Sequence, residues 1–592
     1  MEPNCGRGLD VNQRGHALPT LAPAMPMADH VVPSYRRISH PTREPLMFCF
    51  LTALALLQAP SKPLPGGVRH ERVLIPMRDG VRLSAHLFKP EGKGPWPVLL
   101  EQRYAPVDGE SSRQRYARLA SAGFVVAAAN FRGAQQSEGT WVGYRALAWG
   151  EQKDGYDLVE WLALQPWSTG KIGTFGGSQA GFAQNFLAVT RPPHLVAQHM
   201  TDTGLSLFHE GYRIGGCDRP ARFKQMDAVC RVPQHNRLLV ADWYRHPNYD
   251  DYWKAEDCAP HFGEMDVPCF TIGSWFDFMN VGSIESFIGR QHKGGPNSRG
   301  RQQIIIGPWV HGGSWANSAK VGDLTYPENA RFNVEEHVIR WFNHHLKGIT
   351  NGTEKDPTVR YYLMGAVGEP GAPGNHYKTS PDWPAPSKAK PYYLQSGGKL
   401  AADSPTGANS STSYKADPFN PASVGENVRA FPGAKDASLF ERQPNVLTFT
   451  TPVLNQPEEW TGKIIAELKV ASDAPDTDFI VRISDVYPDG RSILLVDYIR
   501  RARYREGFEK DSFLKTGEIT PIKFDVGWIS QVFNKGHRIR VTVCSTASPF
   551  YEPNPNSAAP LSPDFPKDAR VATNTIFHQA GAASRIIAPV MD

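Results

Sequence analysis

The sequence predicts an α/β fold: a sheet domain wrapped by helices, interrupted by an inserted helical cap and followed by an all-β domain. Three observations carry that prediction. Short apolar runs alternate with helix-spaced stretches across residues 67–205 and 263–354, the pattern of a parallel sheet. A polar, aromatic, cysteine-bearing stretch at 206–262 breaks this rhythm and reads as the cap. In 355–592, turns rich in Pro, Gly and Ser separate short runs of period two, as in a two-sheet sandwich or jelly roll.

Residues 1–45 are rich in Pro, Arg, His and Asn without periodicity and read as disordered. The apolar run 46–57 has the length of a signal-peptide core, with Arg36, Arg37 and Arg43 before it and Ala59 after it. Export to a periplasmic or secreted location is therefore expected, the alternatives being a short buried helix, a true start at Met47 and a cytoplasmic protein. Either way, 1–66 stands outside the fold.

The fold then begins with strand, tight turn and strand at 72–88, where Val81, Leu83, Ala85 and Leu87 alternate with polar residues. The runs 97–101 and 124–129 are continuously apolar, as strands covered on both faces are. Leu158, Trp161 and Leu162 predict a helix over 154–165, followed by a strand at 171–175 and a helix at 179–190. Within the cap, 237–256 leans helical. Strands resume at 269–272 and 303–306. A helix at 333–347 then presents Val334, Val338, Trp341, Phe342 and Leu346 on one face. In the β domain, Ile464, Ala466, Leu468 and Val470 point one way, and Ile539, Val541 and Val543 repeat the alternation.

The 592 residues are 40% hydrophobic and 21% charged, which excludes a disordered chain. The net charge of +5 comes in no basic run, so nucleic acid is not an expected partner. No apolar run reaches the ~18–20 residues that span a bilayer, so no stable span is expected in the mature chain. Seven cysteines are too few for a disulfide framework and lack metal spacing. Cys217, Cys230, Cys258 and Cys269 stay open between bridged pairs and separate buried thiols.

The segment Gly173-Thr-Phe-Gly-Gly-Ser178-Gln-Ala-Gly181 sits where a short strand gives way to a helix. A nucleophile elbow needs this setting: small neighbours, and a serine hydroxyl raised above the sheet. Serine also needs a base and an orienting acid. Asp277 comes just beyond the strand at 269–272 and His311 just beyond the strand at 303–306, in the Ser, Asp, His order of α/β-hydrolases. For either residue alone, a helix cap or a loop histidine is the alternative. Asp473, Asp476 and Asp478 lack calcium-loop spacing, and His344 and His345 do not share a helix face. Turn roles and surface histidines are expected of them.

These segments resemble the CocE/NonD hydrolases: cocaine esterase, α-amino acid ester hydrolases and the X-Pro dipeptidyl-peptidase group. The landmarks run from Gln102-Arg-Tyr104 through Arg132-Gly to Asp154-Gly-Tyr-Asp157, the Ser178 elbow, Gly273-x-Trp-x-Asp277 and Gly307-Pro-Trp-x-His311. They continue into the β domain with 473–479, 485–492 and Pro553-Asn-Pro-Asn556. The resemblance implies an α/β-hydrolase domain with a helical cap and a C-terminal jelly roll. It also implies Ser178 as nucleophile, His311 as base and acid, and Asp277 as orienter. The oxyanion hole would be the Gln179 N–H and the Tyr104 phenol, with no metal or organic cofactor. Trp141, Trp275 and Trp309 become candidate walls of the substrate pocket, core packing being the alternative for each.

Two departures matter. Gln179 stands where most members have Tyr. Met279 and Asn280 stand where α-amino acid ester hydrolases place carboxylates that grip the substrate ammonium, although Glu210 or Asp227 could substitute. The expected activity is serine-dependent cleavage of a small-molecule carboxylic ester, or amide, through an acyl-enzyme. The alternatives are an X-Pro dipeptidyl-peptidase or related aminoacyl hydrolase and, from another class, a non-catalytic carbohydrate-binding protein.

Overall fold

Five consecutive parallel strands deliver their carboxyl ends to one rim, and the rest of the fold holds them there. The computed structural model describes residues 63–592 apart from 220–222, 224, 426–432 and 563. The apolar run 46–57 expected to direct export lies outside the described residues, as do residues 1–62 as a whole.

The first sheet has ten strands: β1 (Arg69–Pro76), β2 (Arg82–Lys89), β3 (Trp96–Arg103), β4 (Val125–Asn130), β5 (Ser168–Gly177), β6 (Leu195–Thr201), β7 (Cys269–Phe276), β8 (Gln303–Val310), β9 (Val359–Leu363) and β10 (His376–Ser380). Their spatial order is β1-β2-β4-β3-β5-β6-β7-β8-β9-β10. Every pair from β4 to β9 is parallel, and the flanking pairs are antiparallel. The order reverses between β3 and β5, the switch point where open α/β sheets bind ligands.

Helices cover both faces because the strands are apolar on both. Helices α1 (Glu110–Ser121), α2 (Asp154–Ala163) and α3 (Gln179–Val189) follow β3, β4 and β5. Leu158, Leu162 and Leu187 pack with Leu83, Val98 and Ile172 on one face. On the other face Phe175, Phe270 and Ile305 meet the predicted stripe Val338, Trp341 and Phe342 of a later helix at Val334–Lys347. The alternation read at 81–88 does not leave one face of β2 wet: Ser84 and His86 are buried too, since β2 lies inside the sheet. In the Val334–Lys347 helix His344 and His345 are half-buried rather than at the surface, and His345 packs on Trp341 at 4.1 Å.

The cap is built on α4 (Pro233–Arg245) and the short α5 (Asp251–Lys254). The expected helix over 237–256 breaks at His246-Pro247, since proline removes a helical N–H donor. Tyr212, Trp243 and Trp253 form its core around the Arg213 guanidinium, which binds Asp218 and the carbonyls of Trp243, His246 and Pro247. Cys217, Cys230, Cys258, Cys269 and Cys544 are separate buried thiols.

The second sheet has twelve strands, with Glu458–Ser472 and Thr520–Phe533 paired along their length. Ile464, Ala466, Leu468 and Val470 are buried, as the alternation predicts. Beyond residue 355, β9 and β10 extend the first sheet by pairing with β8 and with each other. Asp476 and Asp478 serve as buried counter-ions to Arg503 and Arg501, with Asn554 bridging both carboxylates. Replacing Asp476 by Ala leaves Arg503 without its nearest counter-ion in a dry environment. The expected loss is about 3–5 kcal/mol, read as a lower thermal unfolding midpoint.

Candidate active site

The turn from β5 to α3 forces Ser178 into φ 56°, ψ −116°, a conformation that non-glycine residues avoid. Its N–H donates to the carbonyls of Thr201 at 2.9 Å and Asp202 at 3.2 Å, and its own carbonyl accepts from Phe182 N–H at 3.0 Å. Small neighbours make this possible. Gly176 has φ 120°, and a Cβ there would fall 2.8 Å from both Glu101 Oε1 and Ala180 Cβ. A Cβ on Gly181 would fall 2.7 Å from Thr203. The spacing read from the sequence is thus a steric requirement of the turn.

Three predicted residues converge at this turn. His311, one residue beyond β8, brings Nε2 to 2.9 Å from Ser178 Oγ. Its Nδ1 lies 2.8 Å from Oδ1 of Asp277, one residue beyond β7. The Asp277 side chain is fully buried and the His311 side chain 24% exposed. Asp277 Oδ2 is buried and has no hydrogen-bond partner among the described residues.

Tyr104, one residue beyond β3, is half-buried, and its ring is set edge-on to Phe131, Trp141 and Tyr144 at 5.8, 5.8 and 6.2 Å. Gln179 is the first residue of α3, where backbone N–H groups lack intrahelical acceptors. Its side chain has a second task that the sequence did not reveal. Oε1 accepts the N–H groups of Tyr104 and Ala105, both at 2.9 Å. Asn130 Nδ2 donates to the carbonyls of Arg103 and Ala105, so the Tyr104 loop is held from two sides.

The tryptophans divide. Trp141 abuts Tyr104. Trp275 lines a cavity together with Asp277 and Phe278, while its indole donates to Tyr362 O at 2.8 Å and its ring packs on Trp383. The Trp309 indole donates to Ala330 O at 2.9 Å and its ring packs near Phe332, so Trp309 is a core residue rather than a pocket wall.

Among the described residues, neither Glu210 nor Asp227 stands in for the residues after Asp277. Met279 is buried, and Asn280 turns back to donate to Ser274 O at 3.1 Å. Glu210 lies against Gly282 and accepts the N–H groups of Leu205 and Ser206; burial pushes its carboxyl up to about 8. Asp227 is tied to Asn236 and Arg237 of α4.

One acid at the rim went unpredicted. Asp202 follows β6 directly, and one of its oxygens lies within 4.8 Å of Asp277 and His311 donor atoms. Such a trio could chelate a cation, yet His311 Nδ1 is engaged with Asp277, and Asp202 with Ser274 and Gly312. An aspartate after an apolar strand was the signal that found Asp277, and the same signal was present at 195–202.

The chain matches two family models. The X-Pro dipeptidyl-peptidase (S15 family) covers 79–237 and 221–313, and the X-Pro dipeptidyl-peptidase C-terminal non-catalytic domain covers 351–587. It is 28% identical to cocaine esterase of Rhodococcus sp. (strain MB1 Bresler), over 88% of this chain and 98% of that one. The fold is similar to that of an α-amino acid ester hydrolase, with TM-score 0.79 and 21% identity over 92% of this chain and 100% of that one. It is also similar to that of a CocE/NonD family hydrolase from Staphylococcus aureus, with TM-score 0.69 and 18% identity over 88% and 94%.

The Gln179 contacts predict a graded outcome. Gln179→Ala frees the Tyr104 loop and should slow fluorophosphonate labelling of Ser178 about tenfold, since small misplacements of reacting groups cost that much or more. Gln179→Glu keeps an acceptor oxygen and should recover most of the rate in the same time course.

Proposed function

The chain belongs to the CocE/NonD family of serine hydrolases, and from that premise we propose that it cleaves small-molecule carboxylic esters through an acyl-enzyme on Ser178. The observation that carries the reading is the continuous line Ser178 Oγ, His311 Nε2, His311 Nδ1, Asp277 Oδ1, with links of 2.9 and 2.8 Å.

In this reading Ser178 Oγ attacks the ester carbonyl carbon while Nε2 of His311 takes the hydroxyl proton. The buried Asp277 carboxylate faces the resulting imidazolium and stabilises it. The carbonyl oxygen gains negative charge, which the Gln179 N–H and the Tyr104 phenol receive. Collapse breaks the bond to the alcohol, which leaves with the proton from Nε2. Water, deprotonated by His311, then adds to the acyl group. The second collapse frees the acid and returns the proton to Ser178.

Substrate choice follows from the charges near the rim. Met279 and Asn280 offer no anion, so an ester without a free α-amino group suits this site. A second reading, an X-Pro dipeptidyl-peptidase, is favoured by the S15 family model and by Glu210, which lies against the helix that follows Asp277. Glu210 already accepts two backbone N–H groups and holds its proton to about pH 8, which makes it a weak partner for an ammonium. Export remains part of the proposal through the run 46–57 alone.

Ser178→Ala should abolish turnover of p-nitrophenyl butyrate and fluorophosphonate labelling; retained turnover overturns the acyl-enzyme. Tyr104→Phe should lower kcat about 10²–10³-fold with KM little changed. In a panel of matched esters, N-acetylation of an α-amino substrate should raise kcat/KM. Efficient release of p-nitroaniline from Ala-Pro-p-nitroanilide, lost on N-acetylation, would instead favour the dipeptidyl-peptidase.

A further inference from the structure

Five parallel strands end at the rim in the order β3, β5, β6, β7, β8, carrying Tyr104, Ser178, Asp202, Asp277 and His311. The proposed mechanism gives work to four of these residues. Asp202 stands in the middle of the row and touches the segments that carry Ser178, Asp277 and His311. Its backbone carbonyl accepts the Ser178 N–H at 3.2 Å. Its backbone N–H donates to Ile272 O of β7 at 2.9 Å. Its Oδ1 accepts from Ser274 Oγ, also on β7, at 2.7 Å, three residues before Asp277. Its Oδ2 accepts from the Gly312 N–H at 2.7 Å, the peptide group that follows His311.

Residue 202 adopts φ 46°, a left-handed conformation uncommon outside glycine, asparagine and aspartate. Buried at 1% exposure, the carboxylate reaches no solvent that could satisfy it instead. A buried acid beside another buried acid is costly unless the surrounding contacts require it. Here the contacts join the three loops that must keep Ser178, Asp277 and His311 in register.

We propose that Asp202 is a positioning residue that locks the His311 turn and the Asp277 strand to the nucleophile elbow and, in its ionised form, adds a second negative charge beside the imidazolium. This inference rests on the acyl-enzyme reading. The charged groups facing Asp202 are Asp277, from the turn after β7, and His311, from the turn after β8. The elbow presents the neutral Ser178, and the helix Asn280–Lys293 presents Ser283, whose hydroxyl oxygen accepts the Thr203 N–H.

Burial and the adjacent Asp277 charge push the Asp202 carboxyl up to about 7, against the opposing pull of His311, Ser274 and Gly312. The folded chain therefore holds this proton more tightly than the unfolded chain does. The stability it contributes is full below about pH 4 and is lost as pH rises through 7.

Asp202→Asn keeps the shape. Its carbonyl oxygen can take the Gly312 N–H while the amide faces a rotated Ser274 hydroxyl. It removes only the ionisable group. Asp202→Ala removes the anchor as well. With p-nitrophenyl butyrate, kcat of Asp202→Asn relative to the parent should fall about tenfold at about pH 8.5, where the parent carboxylate is ionised, and stay within about threefold at about pH 5.5, where it holds its proton, because the neighbouring anion no longer favours the imidazolium. Its unfolding midpoint at pH 8 should equal or exceed that of the parent. Asp202→Ala should lower kcat about 100-fold with KM within threefold. Should Asp202→Ala not fold, Ser274→Ala, which frees one carboxylate oxygen, takes its place with an expected kcat loss of about tenfold.

An Asp202→Asn to parent kcat ratio that is the same at about pH 5.5 and about pH 8.5, together with kcat within about threefold of the parent in the anchor variant, overturns the proposal. So does an Asp202→Asn enzyme that is destabilised at every pH with an unaltered profile, since that marks a packing role. Ser178→Ala separates the two levels. If it keeps turnover, the acyl-enzyme itself fails. If it is inactive while the Asp202 variants behave as the parent does, only the Asp202 assignment fails.

Discussion

The strained backbone of Ser178 is the constraint on which the site depends. A residue held at φ 56°, ψ −116° costs on the order of 1–3 kcal/mol and persists only where its surroundings over-determine it. They do so here from both directions along the chain and across it. The Ser178 N–H is captured by two carbonyls from the end of β6, so it cannot relax into the helix, and its carbonyl is committed to the first turn of α3. The Cβ clashes that a larger residue at 176 or 181 would meet explain why this turn is made of glycine and alanine. Strain lifts Oγ out of the sheet's hydrogen-bond plane and towards His311. The nucleophile is therefore a product of β5, β6 and α3 together, not of the turn alone.

Electrostatics at the rim follow from the same crowding. Asp277 and Asp202 are both sealed from water, and Asp277 leaves one oxygen unpaired. Both point towards one partly exposed imidazole. In such a setting a positive charge formed on His311 meets more attraction than any surface pair would supply. In the proposed mechanism the opposite charge, on the substrate's former carbonyl oxygen, would meet Tyr104 and the N-terminus of α3. Gln179 links these two donors, because its backbone belongs to α3 while its side chain holds the Tyr104 loop. A tyrosine at 179 has no amide oxygen to do this, so here the loop is tied by a means that the family's usual residue lacks.

Much of this was legible beforehand. Buried parallel strands announce themselves as apolar runs, so β3, β4, β7 and β8 and the acids and bases after them could be read directly. The stripe of the Val334–Lys347 helix was equally plain. What escaped was set by contacts between distant segments. The strand before Asp202 carries the same signal as the strand before Asp277, but nothing local says which partners its carboxylate takes, and nothing in the word Gln179 says where its side chain turns. Trp309 stands two residues before His311, yet its indole donates to Ala330 O and its ring packs near Phe332. Strands that join a sheet at its edge carry no mark of which sheet they will join, and β9 and β10 extend the first sheet beyond residue 355.

The β domain is also not an appendage. Its Tyr504 hydroxyl reaches Pro247 O at 3.0 Å and Asn248 Oδ1 at 2.9 Å, and Phe508 O accepts the Tyr249 N–H at 2.8 Å. Phe508 also sets its ring edge-on to Phe208 of the cap at 5.7 Å. Gly215 approaches so closely that a Cβ there would overlap Ile499 O. The cap segment beyond α4 is therefore gripped by the 502–508 turn, which is itself stiffened by the buried Arg503–Asp476 pair. The charges of this pair are satisfied inside the β domain itself, by Asn554 and the carbonyls of Ser557 and Ala559, so the cost of sealing them is met there while the turn they stiffen holds the cap segment at Pro247, Asn248 and Tyr249.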